Sequence, residues 1–285
     1  MSQRPWGLWR SQVRAVMRLE MKKILLSRRG LWVYLLALAP VLIYAAHSFD
    51  QLRKGEPCDI GQDTHIFAGV FQLFFLRLSI FFGCVGIFLN LFRGEMLEKS
   101  LHYYFLAPVR REILVAGKFL SGLLAAMFIF GTSIVLQFFA LYCHFDASTR
   151  QEYFVHGHGL GHLAAYVGVT LLACAGYGSV FLAAGVLFRN PLIPTLVVLT
   201  LEAISGFLPQ TLQHLSVIFY LKSLCPVAVP AEIFMGKGNP LALLAVNPTP
   251  ASAATAILGL LVLSFAVLVF SSVRVRRLEI DYGTE

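Results

Sequence analysis

The chain has 285 residues, of which 58% are hydrophobic and 13% charged, with 24 Phe and a mean hydropathy of +0.73. Soluble domains carry roughly half apolar and about a quarter charged residues, so composition excludes a soluble globular protein and defines an integral membrane protein. The formal charge of +8 would suit nucleic acid, but the Lys and Arg gather beside apolar runs. They are topology signals, and no nucleic-acid partner is expected.

The first thirty residues hold eight basic side chains: Arg4, Arg10, Arg14, Arg18, Lys22, Lys23, Arg28 and Arg29. Arg10, Arg14, Arg18 and Lys22 recur every four residues beside a row of Trp9, Val13, Met17, Met21 and Leu25. This periodicity predicts a helix lying in the membrane interface with its basic face toward lipid phosphates. The alternative is an irregular basic leader that only marks orientation. So long a basic stretch ahead of the first apolar run, with no convincing cleavage site behind it, predicts that the first span is retained.

A helix needs about 20 residues at 1.5 Å each to cross about 30 Å of hydrocarbon. Six apolar runs qualify or nearly so: residues 31–47, 66–91, 119–142, 163–187, 192–208 and 251–273. With six spans, seventeen basic residues fall on the side of the leader, the second and fourth connections and the C-terminal tail. Arg53, Lys54, Arg150, Lys222 and Lys237 fall opposite, and Arg77 lies within the second span. The positive-inside rule then predicts that both termini are cytoplasmic. Residues 209–250 are too apolar for a free outer loop and are broken by Pro209, Pro226, Pro230 and Pro240. They predict a re-entrant outer segment whose backbone is buried in protein; a seventh span would flip the basic "RVRR" tail outward. The expected fold is one all-α transmembrane domain over residues 1–285, with a leader at 1–30, a cytoplasmic insert at 92–118 and the outer segment at 209–250.

The insert contains "GEMLEKSLHYYFLAPVRREILVAGK", residues 94–118. Within it a short amphipathic helix is predicted, with Met96, Leu97, Leu101, Tyr104 and Phe105 on one face and Glu95, Glu98, Lys99 and His102 on the other. Pro108 ends it, because its ring disfavours helix at Ala107. Held at both ends by long membrane helices, such an element could tilt two spans as levers, with Tyr103, Tyr104 and Phe105 as aromatic anchors for a partner. The alternative is a helix on the lipid surface with its tyrosines at headgroup level.

Glu95, Glu98, Leu106, Pro108, Val109, Arg111, Glu112, Gly117 and Lys118 make up a pattern that resembles the type-2 permeases of ATP-binding cassette (ABC) transporters. The basic leader, the six spans with cytoplasmic ends and the re-entrant segment extend the resemblance over nearly the whole chain. It implies an elbow helix before the first span, and a coupling helix at 98–106 that docks in a cleft of an ATPase subunit. Glu95, Glu98, Leu101, His102, Tyr103, Tyr104, Phe105, Pro108 and Arg111 would serve that coupling. The chain has no GxxxxGK[ST] phosphate loop. ATP and Mg would therefore belong to two copies of a separate ATPase, and this chain would be no enzyme itself. A second permease, identical or related, would complete twelve spans in the lipid of a bacterial inner membrane. The resemblance implies an exporter; the apolar, Phe-rich spans suit a hydrophobic or amphipathic cargo, with a polysaccharide or glycolipid as the alternative.

Arg77 and Glu202 fall near mid-membrane, where an unpaired charge costs roughly 2.5 to 3.5 kcal/mol. They are expected to meet, either as part of the transport pathway, which the resemblance places at the second and fifth spans, or as a static tie. In the fourth span Ala164, Gly168, Gly176 and Ala184, and beside them Ala175, Ser179 and Ala183, predict close helix packing and no chemistry. The rival functional signal is "HGHGLGH": His158 and His162 share a helical spacing, and with His156 they could bind zinc or copper in a metal-handling membrane protein. The five cysteines have no metal-ligand spacing. Cys58, Cys143 and Cys225 fall toward the outer side, where one disulfide could form, or all could remain thiols.

Overall fold

The computed structural model describes residues 6–26, 30–55, 59–97, 106, 110–188, 190–205, 208–229 and 251–276. Among these residues every regular element is helical, so the fold is all-α, and five helices are long and apolar enough to cross a membrane. The chain is a multi-pass membrane protein. After helix α1 (Trp6–Leu26), the first long helix is α2 (Leu31–Lys54). The second is continuous from Ile60 to Leu97 but changes pitch, with α3 (Ile60–Val70), a π-helical stretch (Phe71–Ile80) and α4 (Phe81–Leu97). There follow α5 (Arg111–Tyr142), α6 (Ala147–Gln151), α7 (Gly159–Leu187), α8 (Leu192–Ile204), α9 (Gln210–Gln213), α10 (Val217–Ser223) and α11 (Ala253–Arg276).

Local sequence sets several of these boundaries. Gly55 ends α2 in the left-handed region (φ 65°), returning its N–H to the Gln51 carbonyl at 3.0 Å, a conformation that costs glycine little. Asp59 caps α3 through the Gly61 N–H, and Asp146 caps α6 through the N–H groups of Ser148 and Thr149. The Ser148 and Thr149 hydroxyls, and after them the Thr149 N–H, hold the Asp146 carboxyl well below the usual carboxylate range.

The fifth expected span is not a full-length helix. The helix α8 has 13 residues and reaches about 20 Å at 1.5 Å per residue, short of the hydrocarbon thickness. Two short helices, α9 and α10, follow it, and Ala251, just before α11, donates its N–H to Ser223 Oγ at 3.1 Å. The far end of α11 returns to the start of α5: Arg111 donates to the carbonyls of Val275 and Arg276, and Arg276 pairs with Glu112. Residues 230–250 of the expected outer segment, and residues 98–105 and 107–109 of the expected coupling helix, lie outside the described residues.

α7 is the central helix, packed against α4, α5, α10 and α11. Its small residues do the work expected of them, but unevenly. A Cβ on Gly178 would lie 2.5 Å from the Phe88 ring, and one on Gly122 of α5 would lie 2.8 Å from the same ring. Phe88, wholly buried, thus fills a slot between two glycines. Gly176 faces Leu260 and Val217 equally closely, whereas Gly168 has open space and Ala164 is exposed. Lipid supplies no hydrophobic drive to bring helices together, so such close approach is the main source of cohesion.

Overpacking of this slot is expected to be costly. Gly178→Val should destabilise the protein by about 1–3 kcal/mol, read as a lower melting temperature in detergent, while Gly168→Val should melt like wild type. Equal melting of the two variants would refute the packing assignment.

Candidate functional site

Polar groups buried among apolar helices concentrate in three places. The first lies on the π-helical stretch, where Arg77 faces the end of α8. Arg77 and Glu202 do come together, though not as a carboxylate–guanidinium pair: Arg77 Nη1 donates to the main-chain carbonyl of Glu202 at 3.3 Å. The Glu202 carboxylate turns instead to the start of α10. It accepts the N–H of Val217 at 2.8 Å, the N–H of Ile218 at 2.9 Å, the Ser216 hydroxyl at 2.9 Å and the Tyr177 hydroxyl at 3.5 Å. A carboxylate at a helix N-terminus satisfies otherwise orphaned N–H groups and complements the helix dipole.

The same stretch holds the chain on the other side of α10, since Gln72 Nε2 donates to the Val227 carbonyl at 2.9 Å. Lys222 of α10 lies within electrostatic reach of Arg77. The pathway residues predicted from sequence are thus part of a larger node, with Gln72, Tyr177, Ser216 and Lys222 added. Nothing in residue type alone marked Ser216 or Tyr177, because their role depends on the fold of α8 back onto α10. A ten-residue π-helix is itself unusual, as this geometry is ordinarily confined to single turns at functional sites.

The second site lies where α1 meets the ends of α4 and α5. Lys118, fully buried, donates to Glu20 Oε1 at 2.6 Å and to the Leu91 carbonyl at 2.8 Å, and pairs with Glu95 Oε2 at 2.8 Å. Lys23 approaches Glu95 Oε1 at 3.5 Å, and the Phe92 ring lies beneath the ammonium with its centroid at 5.4 Å. Glu95, expected on an outward polar face, is 1% exposed and belongs to the last turns of α4. Glu20, the other carboxylate on Lys118, was legible as the only acidic residue of the basic leader, a signal that amphipathic periodicity passes over. Around the cluster, Val16 packs so tightly on Gly117 that a Cβ there would sit 2.9 Å away, and Arg110 lies over the Trp9 ring at 4.9 Å. Arg10, Arg14, Arg18 and Lys22 stay exposed on the opposite face of α1, as its periodicity predicts.

Of the other residues expected to couple to a partner, Arg111 is turned toward the end of α11, through the carbonyls of Val275 and Arg276. Leu106 is described and largely exposed, while Glu98, Leu101, His102, Tyr103, Tyr104, Phe105 and Pro108 lie outside the described residues.

The third site is at the opposite end of the bundle. Asp63, 3% exposed, sits between His47 Nε2 and His144 Nε2, each at 3.3 Å, and His144 Nδ1 lies 2.8 Å from the Leu141 carbonyl. It links α2, α3 and the end of α5. The histidines of "HGHGLGH" are elsewhere. His156 and His158 are exposed, the His158 and His162 rings stack with centroids 6.1 Å apart, and His162 Nδ1 meets the Tyr153 hydroxyl at 3.1 Å. Among the described residues no group of three His, Cys, Asp or Glu side chains is placed to hold a metal ion. Cys143 and Cys225 are free thiols, and Cys58 lies outside the described residues.

No protein-family model matches the chain, and no curated protein matches it.

Two outcomes follow from these geometries. Lys118→Met should leave two carboxylates buried beside each other and destabilise the protein by about 3–5 kcal/mol, whereas the triple replacement Glu20→Gln, Glu95→Gln, Lys118→Met should recover most of that loss; thermal melts of the single and triple variants in detergent decide it. Because Glu202 caps α10 while Arg77 holds a carbonyl, the exchange Arg77→Glu with Glu202→Arg should not rescue either single variant. Restored stability in the double variant would show direct charge pairing.

Proposed function

We propose that this chain is the membrane-spanning permease subunit of an ABC exporter, driven by an ATPase on a separate chain. The observation that carries the reading is the buried Lys118 cluster. It fastens α1, α4 and α5 to one another at the two points where residues 98–109 join the long helices. A push on that connection would reach three helices at once, because the ion cluster leaves no compliant joint between them. A docked motor needs this, and a lipid-surface loop does not.

The broken segment supports the same reading. Interrupted helices at membrane depth are tolerated only where protein or a wet cavity surrounds them, and in transporters they accompany substrate sites. Here α8 ends at Ile204, and Glu202 in its last turn caps the start of α10 with its carboxylate. In the six-span arrangement, α8 and the residues after it make the fifth crossing, α1 is the interfacial elbow, and both termini face the cytoplasm of a bacterial inner membrane. Residues 98–106 carry the contact with the ATPase. Two copies of the ATPase, carrying ATP and Mg, and a second permease complete the assembly. The cargo is a hydrophobic or amphipathic molecule, matched to apolar walls with a few buried polar groups at mid-depth.

The test is co-purification of the tagged chain from its native membranes, with the associated ATPase identified by mass spectrometry. Wild type should retain an ATPase. Deletion of residues 97–105 should release it while the remaining protein still elutes as a single folded species. Failure to recover any ATPase, or one retained after the deletion, would sink the proposal.

A further inference from the structure

One cavity is not used by any of the sites above. It has a volume of about 670 Å³ and is lined by Trp32, Val85, Leu89 and Leu192 on its apolar walls and by Asn90, Arg93 and Asn190 at its polar end. It lies at the α1 end of the bundle, between the start of α2, the last turns of α4 and the turn that enters α8. Gly86 shapes its floor: a Cβ there would lie 2.1 Å from the Trp32 indole, so a larger residue would push the ring out of its place against α4.

Arg93 distinguishes this cavity from an ordinary lipid-facing groove. Two residues away, Glu95 is consumed by Lys118 and Lys23, and among the described residues Arg93 has no ion pair or hydrogen bond. Asn90 uses its amide N–H on the Gly86 carbonyl at 2.6 Å, and Asn190 uses its amide oxygen on the Leu192 N–H at 3.2 Å. The Asn90 oxygen and the Asn190 amide N–H are left to the cavity. A guanidinium with an amide donor beside it suits a planar or tetrahedral oxyanion, and an indole at a membrane boundary sits where headgroup meets acyl chain. The volume is that of a small-molecule site.

We propose that this cavity binds an anionic amphiphile, its phosphate or carboxylate head on Arg93 and Asn190 and its hydrocarbon along Trp32, Val85, Leu89 and Leu192. The amphiphile is either a phospholipid of the surrounding leaflet or the exported cargo itself; the binding chemistry is the same. The inference stands without the ATPase partner, since it concerns binding alone.

Trp32 is the natural reporter, because the chain has three Trp and Trp6→Phe with Trp9→Phe leaves it as the only one. In phosphatidylcholine vesicles, chain-brominated phosphatidylglycerol should quench Trp32 at about fivefold lower mole fraction than chain-brominated phosphatidylcholine. Arg93→Gln should bring the two lipids level, and Asn90→Asp, which keeps the shape but adds a negative charge, should do the same should the first variant fold poorly. In parallel, amphiphiles released by denaturing the purified wild type and Arg93→Gln proteins are compared by mass spectrometry. An acidic phospholipid lost from the variant identifies a leaflet lipid, and a different acidic amphiphile lost from it identifies cargo. Equal quenching by both lipids in the parent protein, or anionic preference that survives both substitutions, overturns the proposal.

Discussion

An ammonium group with no exposure to solvent is tenable in an apolar bundle only if anions are built around it, and Lys118 has two, from Glu20 and Glu95. Much of the architecture at that end follows from this constraint. Glu20 must be delivered by α1, so α1 cannot drift along the membrane surface as an independent amphipathic helix. Glu95 must be delivered by α4, so the second long helix continues through Met96 rather than ending where its apolar run ends. The start of α5 must also be helical by Lys118, and it is, from Arg111 onward. Taking one partner away leaves a buried charge uncompensated, which is why such clusters confer geometric definition more than net stability.

The opposite logic operates at the break between α8 and α10. There the protein does not neutralise charge with charge; it satisfies Glu202 with two backbone N–H groups and two hydroxyls, and Arg77 with a carbonyl. Backbone groups are free to serve this way only because the helix is interrupted. The break between α8 and α10 and the polar residues around it are therefore one feature: each unsatisfied terminus supplies the partner that the buried side chain lacks. The π-helical stretch opposite, with Gln72 and Arg77 reaching Val227 and Glu202, holds the broken segment in place. The molecule thus has an ion cluster at one end and, at the broken segment, a joint made of hydrogen bonds.

Legibility followed the range of the interactions. Five long helices, the exposed basic face of α1 and the close packing of Gly176 could be read from periodicity and from small-residue spacing, because each depends on neighbours a few positions away. The proximity of Arg77 and Glu202 could be anticipated from the cost of isolated charge in hydrocarbon. Their actual bonds could not, since a carboxylate is served equally well by a guanidinium or by a helix N-terminus. Likewise "HGHGLGH" drew the eye as a metal motif, while the histidines that do converge on a carboxylate, His47 and His144, are 97 positions apart and on different helices.

Sequence by itself determined that this is an all-helical, multi-pass membrane protein, because hydrocarbon thickness and backbone hydrogen bonding admit little else for so apolar a chain. Tertiary structure decided how its few polar residues are spent: Glu95 inward on Lys118 rather than outward, Glu202 on the start of α10, and Arg93 left facing a cavity beside Trp32. The physical reason is that a charge in an apolar setting takes whichever complementary group the packed helices bring within about 3 Å, and that choice is made by contacts spanning up to 165 residues of chain.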